Sequence, residues 1–167
     1  MDPKKRILAE NAEVGCISPE LPLTRSGLEL MRDMLAGRIP NPPIGRQLNF
    51  KLTAADDGMV EFRGIPLFDF YNPAGTVHGG WAATLLDSAL GASVNTRLPA
   101  GMGHTTIEFK VNLVRPISAE TGEVIARGTV IHFGRTTAVS EATLKTADGK
   151  LLALGTETCA IFPLDSR

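Results

Sequence analysis

Between Asp69 and Arg97 the chain carries one charged residue, Asp87. It stands inside WAATLLDSALGASV (81–94), a run otherwise built from apolar and small residues. Nine residues earlier is His78, followed by Gly79 and Gly80, at the end of the turn NPAGTVHGG (72–80) that begins with Asn72. Two chemistries are within reach of these types. A carboxylate in apolar surroundings is a base or nucleophile once desolvated, and perturbed carboxylates gather at functional sites. The plain alternative is a buried Asp satisfied by hydroxyls or backbone. Glycines at a helix start leave backbone N–H groups open to a ligand oxygen, where the helix dipole is positive. That suits a carbonyl becoming negative, although a helix can also simply begin this way.

The run after the turn predicts a helix over about 78–95. Trp81, Leu85 and Ala89 form one stripe and Ala82, Leu86, Leu90 and Val94 the next, leaving a narrow face of Thr84, Asp87, Ser88, Gly91 and Asn95. A helix this apolar is buried. Gly79 and Asp87 are eight residues apart, which is ~12 Å along the axis. A reacting carbonyl and its base or nucleophile lie within ~3–3.5 Å, so one helix cannot bring both to the same atom. Two antiparallel copies across a two-fold axis can. If both residues are catalytic, the protein is a dimer with composite sites.

The other elements follow from periodicity and turn signals. Residues 1–25, with Pro3, Pro19 and Pro22, read as a loosely ordered lead. Ser26 and Glu29 form a capping box that opens a helix with Leu28, Met31, Met34 and Leu35 on one face. Gly37 and Pro40 end it, and 26–45 is read as this helix and a Pro-rich connector. The main domain is read as 46–163. It opens with a hairpin around Asp57–Gly58 and closes with four strands after the long helix, two of them joined at Asp148–Gly149. In the first of the four, Ile107, Phe109, Val111 and Leu113 share one face and Thr106, Glu108, Lys110 and Asn112 the other. Helix, two strands, long helix, four strands is an α+β order with a mainly antiparallel sheet.

Composition removes several classes. The chain has 167 residues, a formal net charge of −1 with both signs interspersed, and 43% hydrophobic residues. This fits one folded domain and gives no electrostatic footprint for nucleic acid. Cys16 and Cys159 form no metal spacing, and they read as free thiols in a reducing compartment. With no signal-type apolar segment and no run of ~20 apolar residues, a soluble cytoplasmic protein is expected. His78, His104 and His132 lie 26 and 28 residues apart, which argues against a metal site. No GxSxG elbow, GxGxxG or phosphate loop is present.

The pattern N-P-x-G-x-x-H-G-G, an Asp nine residues after the His, and T-x-E-F-K-V-N-x-x-R-P resemble the hotdog-fold acyl-CoA thioesterases, in their PaaI-like (phenylacetate-pathway) branch. The resemblance covers about 26–162. It implies a long central helix wrapped by a curved antiparallel sheet, with an extra N-terminal helix here. It implies that the Gly79 N–H binds the thioester oxygen and that Asp87 of the other subunit is nucleophile or general base. Asn72 orients water or thioester, and His78 holds the turn and contacts the thioester region. Thr106, with Thr105 as the alternative if the register slips, stands beside the carboxylate. Gly80, Gly134 and Arg135 are implied on the substrate side, the last two at the CoA phosphates or else in a bulge with a solvated Arg. Met31 and Met34 are read as an acyl cover or plain core. No cofactor is implied beyond CoA as part of the substrate. The assembly implied is a homodimer, with tetramers common among relatives. Two rivals remain: a non-catalytic acyl-CoA binder, and a hotdog hydratase. The second is disfavoured because four residues separate Pro73 from His78, where hydratases have one.

Overall fold

In the computed structural model, residues 6–164 are described. The first elements are α1 (Leu21–Thr24), α2 (Gly27–Leu35) and α3 (Pro43–Gln47). The hairpin is β1 (Phe50–Asp56) and β2 (Met59–Gly64), the long helix is α4 (Gly79–Asn95), and then come β3 (Met102–Leu113), β4 (Val124–Phe133), β5 (Thr137–Thr146) and β6 (Leu151–Pro163). The six strands form one sheet in the order β1-β2-β4-β5-β6-β3, with every neighbouring pair antiparallel. The sheet curves around α4, which packs against five of the strands. The α+β class, the long wrapped helix and the additional N-terminal helix are as the sequence implies.

The core follows the stripes of α4. Trp81, Ala82, Leu85, Leu86, Ala89 and Leu90 are buried against Phe50, Phe62, Val124 and Leu144. Gly128 of β4 is what allows this closeness: a Cβ there would lie 2.1 Å from the Ala89 carbonyl oxygen. The face of α4 left half-buried holds Thr84, Asp87, Ser88, Gly91 and Asn95, the set expected from the sequence.

The Ser26 capping box is formed. The Ser26 hydroxyl takes the Glu29 N–H, and Glu29 takes the Ser26 N–H at 2.8 Å. The helix it starts lies across the end of α4, where the Gly27 N–H donates to the Leu98 carbonyl. Within the segment read as a lead, residues 1–5 lie outside the described part. From Arg6 onward it is tied to the body: Ile7 N–H donates to Asn49 Oδ1, Gly15 N–H to the Asn41 carbonyl, and the Pro22 carbonyl accepts from Gly101 N–H.

β3 is one edge of the sheet. A bulge between Thr106 and Glu108 breaks its pairing with β6. Past the bulge its apolar row faces α4, with Val111 against the core and Leu113 over Gly79, yet this open edge leaves Leu113 58% exposed, and Ile107 in the bulge is 64% exposed. No helix among the described residues is long and apolar enough to cross a membrane.

Candidate active site

The turn before α4 is held by its own polar groups. Asn72 Oδ1 accepts from the N–H groups of Ala74 and Thr76, at 2.9 and 3.3 Å, and its Nδ2 donates to Thr76 Oγ1 at 3.1 Å. Gly75 takes a positive φ of 82° inside this loop, a conformation that costs glycine little. His78 is the N-cap of α4, its Nδ1 accepting from Gly80 N–H at 2.9 Å. That bond makes Nδ1 the unprotonated nitrogen. It also occupies the Gly80 N–H, so Gly80 offers no donor to a substrate. The Gly79 N–H, first in the helix, has no acceptor among the described residues. It opens on a cavity of about 290 Å³ shared with Asn72, Thr76, Leu113 and Pro116.

Asp87 opens elsewhere. It lines a second cavity, of about 510 Å³, with Met31, Met34, Gly91, His104 and Thr106. No hydrogen-bond donor or cation among the described residues reaches its carboxylate. Burial alone pushes its pKa above the ordinary carboxylate value. α2 supplies the apolar wall through Leu30, Met31 and Met34, so the two methionines face the same space as Asp87.

Thr106 stands beside that space, its hydroxyl donating to Glu157 Oε1 at 2.8 Å. Thr105 pairs with Ala160 and is exposed. Gly134 and Arg135 lie in the β4–β5 turn, where Gly134 N–H donates to the Thr137 carbonyl and Arg135 is exposed. Neither lines the cavities of Gly79 or Asp87. The single chain thus brings Asp87 and Thr106 together, and Asn72 and Gly79 together, but keeps the two pairs in separate cavities.

Two residues of the Asp87 side escape a reading of the sequence. His104 is half-buried, and burial pushes its pKa down, opposed by a hydrogen bond with the backbone of Gly91. Glu157 is 1% exposed and pairs with no cation among the described residues. Burial raises its pKa, and the charge of Asp87 adds to the rise; bonds from Cys159 and Thr106 oppose it. A signal for it exists. Alternation in LLALGTETCAIF puts Gly155, Glu157, Cys159 and Ile161 on one face, a carboxyl in an otherwise core-like row. Among the described residues, no group of three or more His, Cys, Asp or Glu is arranged to hold a metal.

An α+β chain whose six-stranded antiparallel sheet wraps one long helix, with a bare carboxylate on that helix and an open N–H at its start, is a hotdog-fold protein. A family model described as the thioesterase superfamily matches residues 74–153. A protein of Pseudomonas aeruginosa named "Putative esterase" is 30% identical over 125 residues, spanning 74% of this chain and 85% of its own length. One of Halobacterium salinarum with the same designation is 39% identical over 105 residues, spanning 59% of this chain and 67% of its own. The chain belongs to the thioesterase superfamily. A solved structure from Ralstonia eutropha JMP134, described as a "putative thioesterase, phenylacetic acid degradation-related protein", is 30% identical with a TM-score of 0.70, over 78% of this chain and 98% of that one. A thioesterase family protein from Silicibacter pomeroyi is 28% identical, also at 0.70, over 83% and 99%. These relationships place the chain with thioester hydrolases in general.

Proposed function

We propose that the protein is an acyl-CoA thioesterase of the Asp type, with each site shared between two copies of the chain. The observation that carries this reading is the unpaired, half-buried carboxylate of Asp87, with its raised pKa and its own apolar cavity. A non-catalytic binder would gain nothing from a desolvated carboxylate beside a thioester.

In this reading the thioester oxygen sits on the Gly79 N–H of one protomer, where the helix N-terminus favours developing negative charge. Asp87 of the other protomer takes a proton from water, which attacks the carbonyl carbon, or attacks it directly and is freed by water. The tetrahedral intermediate collapses and the carbon–sulfur bond breaks. CoA leaves as the thiol, taking up one proton, and the acid is released. Desolvation makes Asp87 a stronger base than an ordinary aspartate. Met31, Met34 and Leu30 form the wall met by the acyl group. Asn72 acts through the turn it braces as well as at the thioester. The reaction needs water and no further cofactor.

The test is a hydrolysis screen over straight-chain and aryl acyl-CoAs with detection of free thiol. Release of CoA by the wild type, and its near-complete loss in a folded Asp87→Ala variant, is the expected result. Tight acyl-CoA binding without thiol release would instead favour the binding-protein reading, and full activity of Asp87→Ala would remove Asp87 from the chemistry.

A further inference from the structure

Beneath Gly91 of α4, the inner face of the sheet carries a row of polar groups that hydrolysis by Asp87 and Gly79 does not use. Thr106 on β3, opposite Cys159 in the register, reaches Glu157 on β6 diagonally, and Ser140 on β5 stands on the other side of Glu157. Thr106 Oγ1 donates to Glu157 Oε1 at 2.8 Å, and Cys159 Sγ donates to the same oxygen at 2.9 Å. Ser140 is directly opposite Glu157 in the β5–β6 register. Residues so placed point to the same face with Cβ atoms about 4.5–5.5 Å apart. Ser140 and Glu157 are both buried, at 0% and 1% exposure. Among the described residues, the only buried side-chain oxygens left without a partner are Ser140 Oγ and Glu157 Oε2. Two neighbouring orphans on one face need a proton shared between them or a bridging water, and a carboxyl buried this deeply with no cation among the described residues favours holding a proton of its own.

We propose that Glu157 is a positioning residue of the site: a neutral acid whose Oε1 holds the Thr106 hydroxyl as a donor and whose Oε2–H serves Ser140 through one buried water. This allotment satisfies every group in the row. Oε1, the carbonyl oxygen of the acid, uses both lone pairs, and Oε2–H donates to the water that meets Ser140. No charge among the described residues argues for ionisation. Asp87 on α4 is itself acidic and repels a second carboxylate. His104 on β3 turns to the Gly91 backbone, and burial pushes its pKa down. Burial likewise pushes the Cys159 thiol up, so it remains an S–H donor.

The consequence falls on Thr106, and its catalytic meaning rests on the thioesterase reading. With its proton committed to Glu157, the hydroxyl presents only lone pairs to the cavity it shares with Asp87. A water there is held by its two hydrogens, one on Asp87 and one on Thr106, with its own lone pair left for attack.

Glu157→Gln keeps an accepting Oε1 and supplies an N–H for Ser140, so kcat should remain within about threefold of wild type. Glu157→Met keeps the length and removes the acceptor. It should lower kcat about tenfold, the scale of one lost hydrogen bond, with KM unchanged. Thr106→Val should show the same loss, and the double variant no more than either single one. Equal losses in Gln and Met, an unchanged kcat in Met, or additive losses would overturn the proposal. An infrared difference spectrum, wild type minus Glu157→Gln at neutral pH, tests the protonation without any turnover. It should show a protonated carboxyl band, and an ionised carboxylate signature there refutes the neutral acid. If Glu157→Met fails to fold, the Gln variant, Thr106→Val and the spectrum still decide. If wild type releases no thiol from any acyl-CoA, the thioesterase reading fails while the spectrum still decides the state of Glu157.

Discussion

Asp33, Glu157 and Asp87 show three ways a folded chain treats a carboxyl group taken from water. Asp33, on α2, is 3% exposed and is met by Arg25 at 2.9 Å and Arg38 at 2.6 Å. Glu157 receives neutral donors only. Asp87 receives nothing from the described residues of its own chain, and a charge left in that condition works against folding. Its native pKa is raised, so the native state binds the proton more tightly than the unfolded chain does. Stability is therefore lost as pH rises from the ordinary aspartate range through the native value, and is regained on acidification. Asp87→Asn removes that cost. It should melt at a higher temperature than wild type at neutral pH, with the gap closing in the acid range, while hydrolysis falls by about 10²- to 10⁴-fold. Thermal melts across pH together with thiol release check both halves. A variant less stable than wild type at neutral pH would show that Asp87 has a stabilising partner. Asp87 is legible in the sequence because a lone charge in an apolar helix stands out. Glu157 shows in the sequence only as a carboxyl in a core-like row, and its partner Thr106 is 51 positions away and meets it only across the sheet.

At the scale of elements, local signals are strong where one feature decides the outcome. The long helix is expected over 78–95 and runs Gly79–Asn95, because a capping turn starts it and Pro99 and the glycines beyond stop the chain from continuing. Asp57–Gly58 and Asp148–Gly149 both turn hairpins. What periodicity cannot supply is the bulge at Thr106 and which face of β3 meets α4, since both depend on the neighbouring strand. Placement of α2 is likewise a tertiary matter, and it hangs on Gly27. A Cβ there would lie 1.7 Å from the Asn95 carbonyl oxygen, and backbone cannot yield as a side-chain tip can. Gly27→Ala should push α2 away from the end of α4, at a cost of roughly 1–3 kcal/mol. Leu30, Met31 and Met34 would move with it, so preference among acyl chain lengths should change more than the rate on the shortest substrate. Denaturant unfolding and the acyl-CoA screen read the two effects. Unchanged stability would mean that α2 is not seated through this contact.

At the scale of the whole molecule, two features of the single chain fit the proposed shared site. Its edge strand β3 presents twelve residues of backbone with exposed apolar side chains, a template for another strand. Gly79 N–H opens on one cavity and Asp87 on another, ~12 Å apart along a rigid helix. A two-fold pairing that covers β3 would set the start of one α4 against the middle of its partner. Mixing two inactive variants tests this without assuming how the copies dock. Asp87→Asn lacks the carboxylate. Gly79→Val covers the N–H, and its added Cβ meets only the tip of the exposed Leu113 side chain, which can swing aside. Each variant alone should be nearly inactive. In dimers exchanged at equal amounts, about half contain one chain of each kind, and each of those rebuilds one intact site of two, so about a quarter of wild-type activity should return. If both residues served the site of their own chain, no mixture would recover anything, and a fully active wild-type monomer in sedimentation would equally rule out the shared site.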